Sequence, residues 1–310
     1  MSQPTVYVVC GGVSDEREVS LVSGRCFAEA LSGGMNVTRI VLDENRVPAE
    51  VVRPGAVIFP AMHGCYGEDG ALQAELEALG LAYAGSGPEA SALCMDKGRT
   101  KAVLKKADLP VAEHLEFESG AAPSVDTLIN RLGTRVVVKP LDKGSSVGLF
   151  LPETPEDLAA VLANLPAGRW MAEQRVVGRE LTVGILGGEP LGIVEIVPQG
   201  GTYDYRHKYT PGMTDYRFPA DLPEPLTAII RDEARRAAHA CGCRDFCRVD
   251  LLLREDGARV FLEINTIPGL TPTSLLPKSA ACLGYSFETL AEAMVRPAIE
   301  RSRQTGVVQT

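Results

Sequence analysis

The stretch from Arg248 to Asn265 reads Arg-Val-Asp-Leu-Leu-Leu-Arg-Glu-Asp-Gly-Ala-Arg-Val-Phe-Leu-Glu-Ile-Asn, two alternating runs around Asp256-Gly257. Asp-Gly between such runs is the strongest short signal for a two-residue hairpin turn. A turn centred there sets Asp250 opposite Glu263 and Arg248 opposite Asn265. Side chains alternate along a strand, so these four share one face with Leu252 and Phe261, while Val249, Leu251, Val260, Leu262 and Ile264 take the other. Two carboxylates, an amide and a guanidinium on one face suit an oxygen-ligated cation beside a bound anion. Mg²⁺ keeps near-octahedral oxygen coordination and shares its shell with substrate phosphates. A solvated hairpin face would carry the same charges for solubility alone, and this stretch by itself leaves the two readings close to even.

Three further segments carry usable chemistry. Lys139-Pro-Leu-Asp-Lys-Gly-Ser-Ser-Val-Gly148 ends a strand in Lys and continues as a small-residue loop. Its backbone N–H groups could wrap phosphates, but a lone loop of this kind favours a plain glycine-serine hairpin turn. No Gly-x-x-x-x-Gly-Lys-Ser/Thr loop occurs. His63-Gly-Cys-Tyr-Gly-Glu-Asp-Gly70 follows a strand, where open α/β sheets place ligands, yet a lone histidine there is more often structural. Tyr203–Pro219 holds four tyrosines, Lys208 and Gly212 without periodicity, and fits a surface loop or a lid.

The elements that must position these residues follow from hydrophobic pattern. Val6–Cys10, Val37–Leu42, Ala56–Pro60 and Leu81–Ala84 read as short strands, with helices at Val19–Leu31, opened by an Asp15-x-x-Glu18 capping box, and at Leu72–Leu79. Strands alternating with helices imply a doubly wound parallel sheet. Gly85-Ser-Gly-Pro88 is turn-rich and marks a boundary. Beyond it, helices are expected at Asp96–Ala107, Glu156–Leu165, Leu226–Cys241 and Phe287–Arg301, and strands at Val136–Lys139, Leu149-Phe150, Leu181–Leu186 and Leu191–Val197, an α+β pattern.

Composition excludes several classes. The chain has 310 residues, 31 Lys+Arg and 40 Asp+Glu, a net charge of −9 that argues against a nucleic-acid footprint. With 45% hydrophobic and 23% charged residues it is an ordinary globular composition, long enough for two or three domains. No run reaches the ~18 apolar residues of a membrane span, and no signal peptide is visible. Eight scattered cysteines, among them Cys241-x-Cys243-x3-Cys247, lack a Cys-x2-Cys pair and read as reduced structural thiols. A cytoplasmic protein is expected.

Taken in order, these segments resemble the D-alanine–D-alanine ligases of the ATP-grasp superfamily. The resemblance rests on Gly11-Gly-Val-Ser-Asp-Glu-Arg-Glu-Val-Ser20, His63-Gly and Gly67-Glu-Asp-Gly70, Met95-Asp-Lys97, Lys139-Pro with Gly144-Ser-Ser-Val-Gly148, Tyr203-Asp-Tyr205 with Lys208-Tyr209, Arg248-Val-Asp250, and Glu263-Ile-Asn-Thr-Ile-Pro-Gly269 through Ser274. It implies an ATP-grasp fold with an N-terminal doubly wound domain over 1–88, a central subdomain over 89–178 and a catalytic domain over 179–310. It further implies ATP, two Mg²⁺ ions with Mn²⁺ able to replace them, a homodimer, and a product for peptidoglycan precursor synthesis.

Residue by residue, the resemblance makes Asp250, Glu263 and Asn265 the metal ligands and Lys97, Lys139 and Lys208 the nucleotide-phosphate cations. Glu180 would accept from the ribose, and Glu173 would begin the segment that meets the adenine; Gln174 and Arg175 follow where the family often has Lys and an aromatic. Glu16 would hold the first substrate's ammonium, with His63 near its carboxylate, and Ser145 and Tyr209 would link to Glu16 and orient the second substrate. Arg248 and the Gly269 N–H would form the oxyanion site, and Ser274 and Leu275 would grip the second carboxylate. Ligases that join D-alanine to D-serine or D-lactate are the close alternative; Tyr209 argues against lactate, whose ligases carry Phe there. An oxidoreductase built on the first strand–helix unit is disfavoured, because Gly11-Gly-Val-Ser-Asp-Glu lacks Gly-x-Gly-x-x-Gly and Glu16 would repel a pyrophosphate.

Overall fold

The first strand, β1 (Thr5–Gly11), is buried along almost its whole length and divides its side chains between two cores. The computed structural model describes residues 4–144, 147–199 and 212–305. Val6, Val8 and Cys10 pack with Phe27 and Leu31 of α1 (Arg17–Leu31), whereas Tyr7 and Val9 pack with Leu72 and Leu76 of α2 (Ala71–Ala78). Helices on both faces make the sheet doubly wound. Its parallel order is β2-β1-β3-β4, with β2 at Asn36–Leu42, β3 at Val57–Pro60 and β4 at Ala82–Tyr83. Gly11 has φ +94°, and a Cβ there would lie 2.7 Å from the Leu42 carbonyl oxygen, so glycine is required where β1 turns into α1.

The capping box expected at Asp15–Glu18 does not form. Glu16 occupies the N-cap position at φ −97°, ψ 15°, without a side-chain cap. A capping box needs an extended N-cap residue. Instead the Ser14 hydroxyl accepts from the Glu16 N–H at 3.3 Å and donates to the His63 carbonyl at 2.8 Å, tying the ends of β1 and β3 together.

The central part contains α3 (Pro88–Met95), α4 (Lys97–Lys106), β5 (His114–Glu118), α5 (Val125–Leu132), β6 (Val136–Pro140), α6 (Pro155–Ala163) and β7 (Arg169–Gln174). Its antiparallel sheet has the order β5-β7-β6 and closes over Leu128, Leu132, Leu158 and Trp170. The turn-rich Gly85–Pro88 is followed directly by α3, with Pro88 as its first residue. Proline at that position starts helices rather than ending them.

A five-stranded antiparallel sheet, ordered β10-β9-β8-β11-β12, forms the last part: β8 Arg179–Leu186, β9 Glu189–Pro198, β10 Thr214–Arg217, β11 Phe246–Leu253 and β12 Arg259–Asn265. β10 falls inside the stretch expected to lack regular structure. Helix α7 (Glu224–Ala240) packs on this sheet through Ile230, Ala234, Ala237 and Ala238. After α8 (Leu275–Ala281), the last helix α9 (Phe287–Thr305) returns to the parallel sheet, where Leu290, Met294 and Val295 join Val6, Val57 and Phe59.

The β11–β12 hairpin keeps the expected pairs Arg248–Asn265, Val249–Ile264 and Asp250–Glu263, but by a different route. Arg254 N–H donates to the Ala258 carbonyl at 2.8 Å, leaving a three-residue loop with Gly257 at φ +82°. Past Asp250 the register shifts, so Leu251 pairs with Phe261 and Leu252 with Val260. Loop and bulge displace the register by one residue each and cancel. Between them, Phe261 joins Leu251 in the core, and the expected placement of Phe261 and Val260 is reversed.

Candidate active site

A cavity of about 740 Å³ opens at the carboxyl ends of β1 and β3, where the chain leaves the parallel sheet. Ligands of open α/β sheets bind at this end because loops and helix starts converge there. Among its walls are Glu16 at the start of α1, His63 after β3, Lys97 at the start of α4, Gly144, and Arg248, Glu263 and Asn265 from the hairpin. Gly269, Ser274 and Leu275 close another side. Glu180 lies on β8 beside Leu252 and outside this set. Ser145, Lys208 and Tyr209 fall outside the described residues.

Arg248 and Asp250 form the best-defined pair. The Arg248 Nε donates to Asp250 Oδ1 at 2.9 Å and Nη2 to Oδ2 at 2.8 Å, a two-pronged ion pair with both residues buried. The Thr182 hydroxyl from β8 also donates to Asp250 Oδ1. This arrangement fixes the guanidinium plane against a cavity wall. Across the hairpin, Glu263 Oε2 lies 3.9 Å from Lys97 Nζ, and that ammonium also donates to the Lys143 carbonyl at 2.6 Å. The small-residue loop, α4 and β12 therefore meet at Lys97.

The residues fit a cation in part. Asn265 Oδ1 is buried without a hydrogen-bond partner, an orphaned acceptor that a cation would satisfy. Glu263 borders the cavity beside it, whereas Asp250, on the paired position, is not among the lining residues and has both oxygens engaged by Arg248 and Thr182. Among the described residues no group of three or more His, Cys, Asp or Glu side chains gathers closely enough to hold a metal by itself. The donor set is that of an ion completing its shell with phosphate oxygens.

A second charged group lies on the three-stranded sheet. Glu173 of β7 is 3% exposed, accepts from Lys139 Nζ of β6, and stands 2.9 Å from Lys101 Nζ of α4. Burial pushes its carboxyl up, but Lys139 first and then Lys101 hold it down to about 2. Burial pushes the Lys101 ammonium down, against the pull of Glu173. Lys101 was not among the expected residues. Its signal was its spacing: four residues after Lys97, it lies on the same helix face. Glu173, expected for its backbone, holds both ammonium groups with its side chain.

Around the parallel sheet, His63 Nε2 sits 2.9 Å from the Ser23 hydroxyl and Nδ1 4.0 Å from Glu68 Oε1. A Cβ added to Gly144 would stand 3.4 Å from Glu16 Oε2, so the loop after β6 reaches the Glu16 carboxylate. The Ser274 hydroxyl accepts from the Thr271 N–H at 3.2 Å, and a Cβ on Gly269 would lie 2.8 Å from it. Gly269 and Ser274 are thus in contact, with no room for a larger residue at 269.

The sequence model described as D-ala D-ala ligase C-terminus matches residues 103–296, more than half of the chain. The chain belongs to the D-alanine–D-alanine ligase family. It is 47% identical to a D-alanine–D-alanine ligase from Desulforudis audaxviator, over 95% of this chain and 98% of the relative. With the ligase from Trichlorobacter lovleyi the identity is 39%, over 99% and 98%. Among solved structures, the D-alanine–D-alanine ligase from Bacillus anthracis complexed with ATP matches with a TM-score of 0.85 at 27% identity, covering 97% of this chain and 99% of that one. A D-Ala:D-Ser ligase from Enterococcus faecalis matches at 0.83 and 27%, covering 96% and 100%. The fold is accordingly the ATP-grasp fold of these ligases. In this D-alanine–D-alanine ligase family member, the sheets that carry Arg248 and Glu173 are the two that frame the α4 lysines.

Proposed function

We propose that the protein uses ATP to join two D-alanine molecules into D-alanyl-D-alanine. The observation that carries this reading is one cavity offering opposite charges to opposite ends of small amino acids: the Glu16 carboxylate on one wall, and Arg248 with the Gly269–Ser274 turn on another. Glu16 attracts the first substrate's ammonium, with His63 beside its carboxylate. That carboxylate attacks the γ-phosphorus of ATP, giving D-alanyl phosphate and ADP. The neutral amine of the second D-alanine then attacks the acyl carbon, and phosphate leaves from the tetrahedral intermediate. Arg248 and the Gly269 N–H receive the charge that develops on the oxygen. The Ser274 and Leu275 turn at the start of α8 receives the second carboxylate.

Such chemistry is largely positioning and charge neutralisation, which suits a site of cations without a covalent nucleophile. Lys97 and Lys139 offer positive charge to the phosphates, and Glu180 an acceptor to the ribose. Asp250, Glu263 and Asn265 would hold Mg²⁺ or Mn²⁺, which neutralises phosphate charge when bound. Lys208, Ser145 and Tyr209 take the roles implied by the resemblance. The domain limits 1–88, 89–178 and 179–310, a cytoplasmic homodimer, and supply of peptidoglycan precursor complete the proposal; among the described residues no helix is long and apolar enough to cross a membrane.

The test is phosphate release from ATP with D-alanine, D-serine, D-lactate and L-alanine, singly and paired with D-alanine. D-Alanine alone is expected to support turnover with a dipeptide product, and L-alanine to give none. Absence of D-alanine-dependent release would overturn the reading. Faster release with D-alanine plus D-serine, giving the mixed dipeptide, would move the second substrate to D-serine, as in the Enterococcus relative.

A further inference from the structure

Four thiols collect where α3 meets the start of β11. Cys94, in the last turn of α3, and Cys243, in the turn after α7, have their sulfur atoms 3.7 Å apart. Cys241 lies beside Cys94, and Cys247 beside Cys243. None is bonded; all the cysteines are free. Cys243 is half-buried and lines a small cavity of about 80 Å³ with Cys247, His239 and Arg244. A water occupies about 30 Å³ of liquid, so that space admits a molecule of peroxide size and no protein thiol. Hydrogen bonds from Cys247, then Cys94 and Ser86, pull the Cys243 thiol well below its ordinary range despite burial. Cys94 is 5% exposed and borders the main cavity.

We propose that Cys94 and Cys243 are a redox modification site, closing to a reversible disulfide with hydrogen peroxide or another small peroxide, and that closure lowers the activity of the neighbouring cavity. In the first step the Cys243 thiolate attacks one peroxide oxygen. The O–O bond breaks, leaving a sulfenic acid and a hydroxide that is protonated to water. In the second, Cys94 gives up its proton and attacks the sulfenic sulfur; the S–O bond breaks, and the departing hydroxide takes that proton. Two thiols and one peroxide become one disulfide and two waters, with two electrons passing from sulfur to oxygen.

The link to activity is geometric. A disulfide holds its sulfurs about 2.05 Å apart, so the two must approach by over an ångström. Cys94 lies two residues before Asp96, which caps α4 by accepting from the Arg99 N–H, and α4 begins with Lys97. Dragging the end of α3 toward β11 displaces Lys97 relative to Glu263 and the Lys143 carbonyl, its partners at 3.9 and 2.6 Å. A misplacement of about 1 Å in a positioning group can cost roughly 10²-fold, so a loss of about tenfold or more is expected here.

The full-length protein is exposed to graded hydrogen peroxide, its remaining thiols are alkylated, and the digest is read by mass. D-Alanine-dependent phosphate release is followed in parallel, before and after dithiothreitol. The expected result is a peptide joining Cys94 to Cys243 whose yield tracks the loss of rate, with recovery on reduction. Cys243→Ala should keep its own starting rate under peroxide, and Cys65→Ser, lacking the exposed thiol beside His63, should stay as sensitive as the parent. Separate alkylation of Cys94 and Cys243, a cross-link without loss of rate, sensitivity that vanishes in Cys65→Ser, or a stoichiometric metal held by these thiols in the isolated protein would each overturn the proposal. The cross-link is read by mass alone, so its failure is distinguishable from failure of the ligase reading.

Discussion

The β11–β12 hairpin and the Lys101–Glu173–Lys139 cluster both gather charge beside α4, but they hold it differently. In the hairpin, register places Arg248, Asp250, Glu263 and Asn265 on one face, of which Arg248, Glu263 and Asn265 border an open cavity, and Asn265 keeps an unsatisfied acceptor. In the cluster, one buried carboxylate is matched by two ammonium groups at close range, and its surplus is a single positive charge. A polar face with an open acceptor on a cavity can exchange partners with a ligand, whereas a carboxylate buried between two ammonium groups fixes its neighbours in place. On the proposed function, the hairpin is the part that would meet the reactants, and the cluster the part that would aim two lysines.

Arg248→Lys tests that division most severely. Lysine keeps the charge but cannot make the two-pronged contact to Asp250, and the ammonium would not hold the guanidinium's plane. Turnover should fall by about 10²–10³-fold, the cost of losing a positioned oxyanion donor, with a smaller change in KM for ATP. Steady-state kinetics with each substrate varied in turn will show it. A turnover within threefold of the parent would remove Arg248 from the reaction.

The cluster should respond in stability. Glu173→Gln leaves Lys101 and Lys139 facing each other without an anion, and uncompensated buried charge of this kind costs about 3–5 kcal/mol. Lys139→Met keeps the Lys101–Glu173 pair and should cost less while still weakening ATP binding. Urea unfolding of both variants, with ATP binding measured by calorimetry, separates the two effects. Equal stabilities would mean that Glu173 does not act as the shared anion.

The same carboxylate predicts acid sensitivity. Its folded pKa, about 2, lies below the ordinary 4.5, so the folded state keeps a charge that the unfolded chain would neutralise. The resulting stabilisation is fully present above about pH 4.5 and is lost as pH falls toward 2. Chemical unfolding at a series of pH values should show Glu173→Gln with a flatter acid limb than the parent. A limb of unchanged steepness would assign acid sensitivity to other carboxylates.

These two regions also differ in how far local sequence could foretell them. The hairpin pairs follow from alternation around one turn, with all four residues inside eighteen consecutive positions. The cluster unites α4, β6 and β7, with Lys139 and Glu173 34 residues apart, a proximity set by packing alone. Strand β7, Arg-Trp-Met-Ala-Glu-Gln, contains no β-branched residue and gave no strand signal. Helix α3 was hidden because its first residue, Pro88, reads as the end of a turn. The parallel sheet was the easiest part, since its buried strands are continuous apolar runs.

The smallest expected effect refines the hairpin itself. Its register emerged correct only because a three-residue loop and a bulge past Asp250 offset one another. If the loop set the register, straining it would disturb the active face; if the strand pairs set it, only stability would change. Gly257 has φ +82°, and a Cβ there meets nothing within 4 Å, so a side chain costs backbone strain and no clash. Gly257→Ala should therefore lose about 1 kcal/mol, and Gly257→Asn less, because Asn tolerates left-handed backbone better. Both should turn over within twofold of the parent, since β11 is also pinned on its other side by β8 from Phe246 to Leu253. Thermal unfolding and initial rates on the two variants decide the matter. A rate loss that follows the strain would give the loop, rather than the strands, control of where Glu263 and Asn265 point.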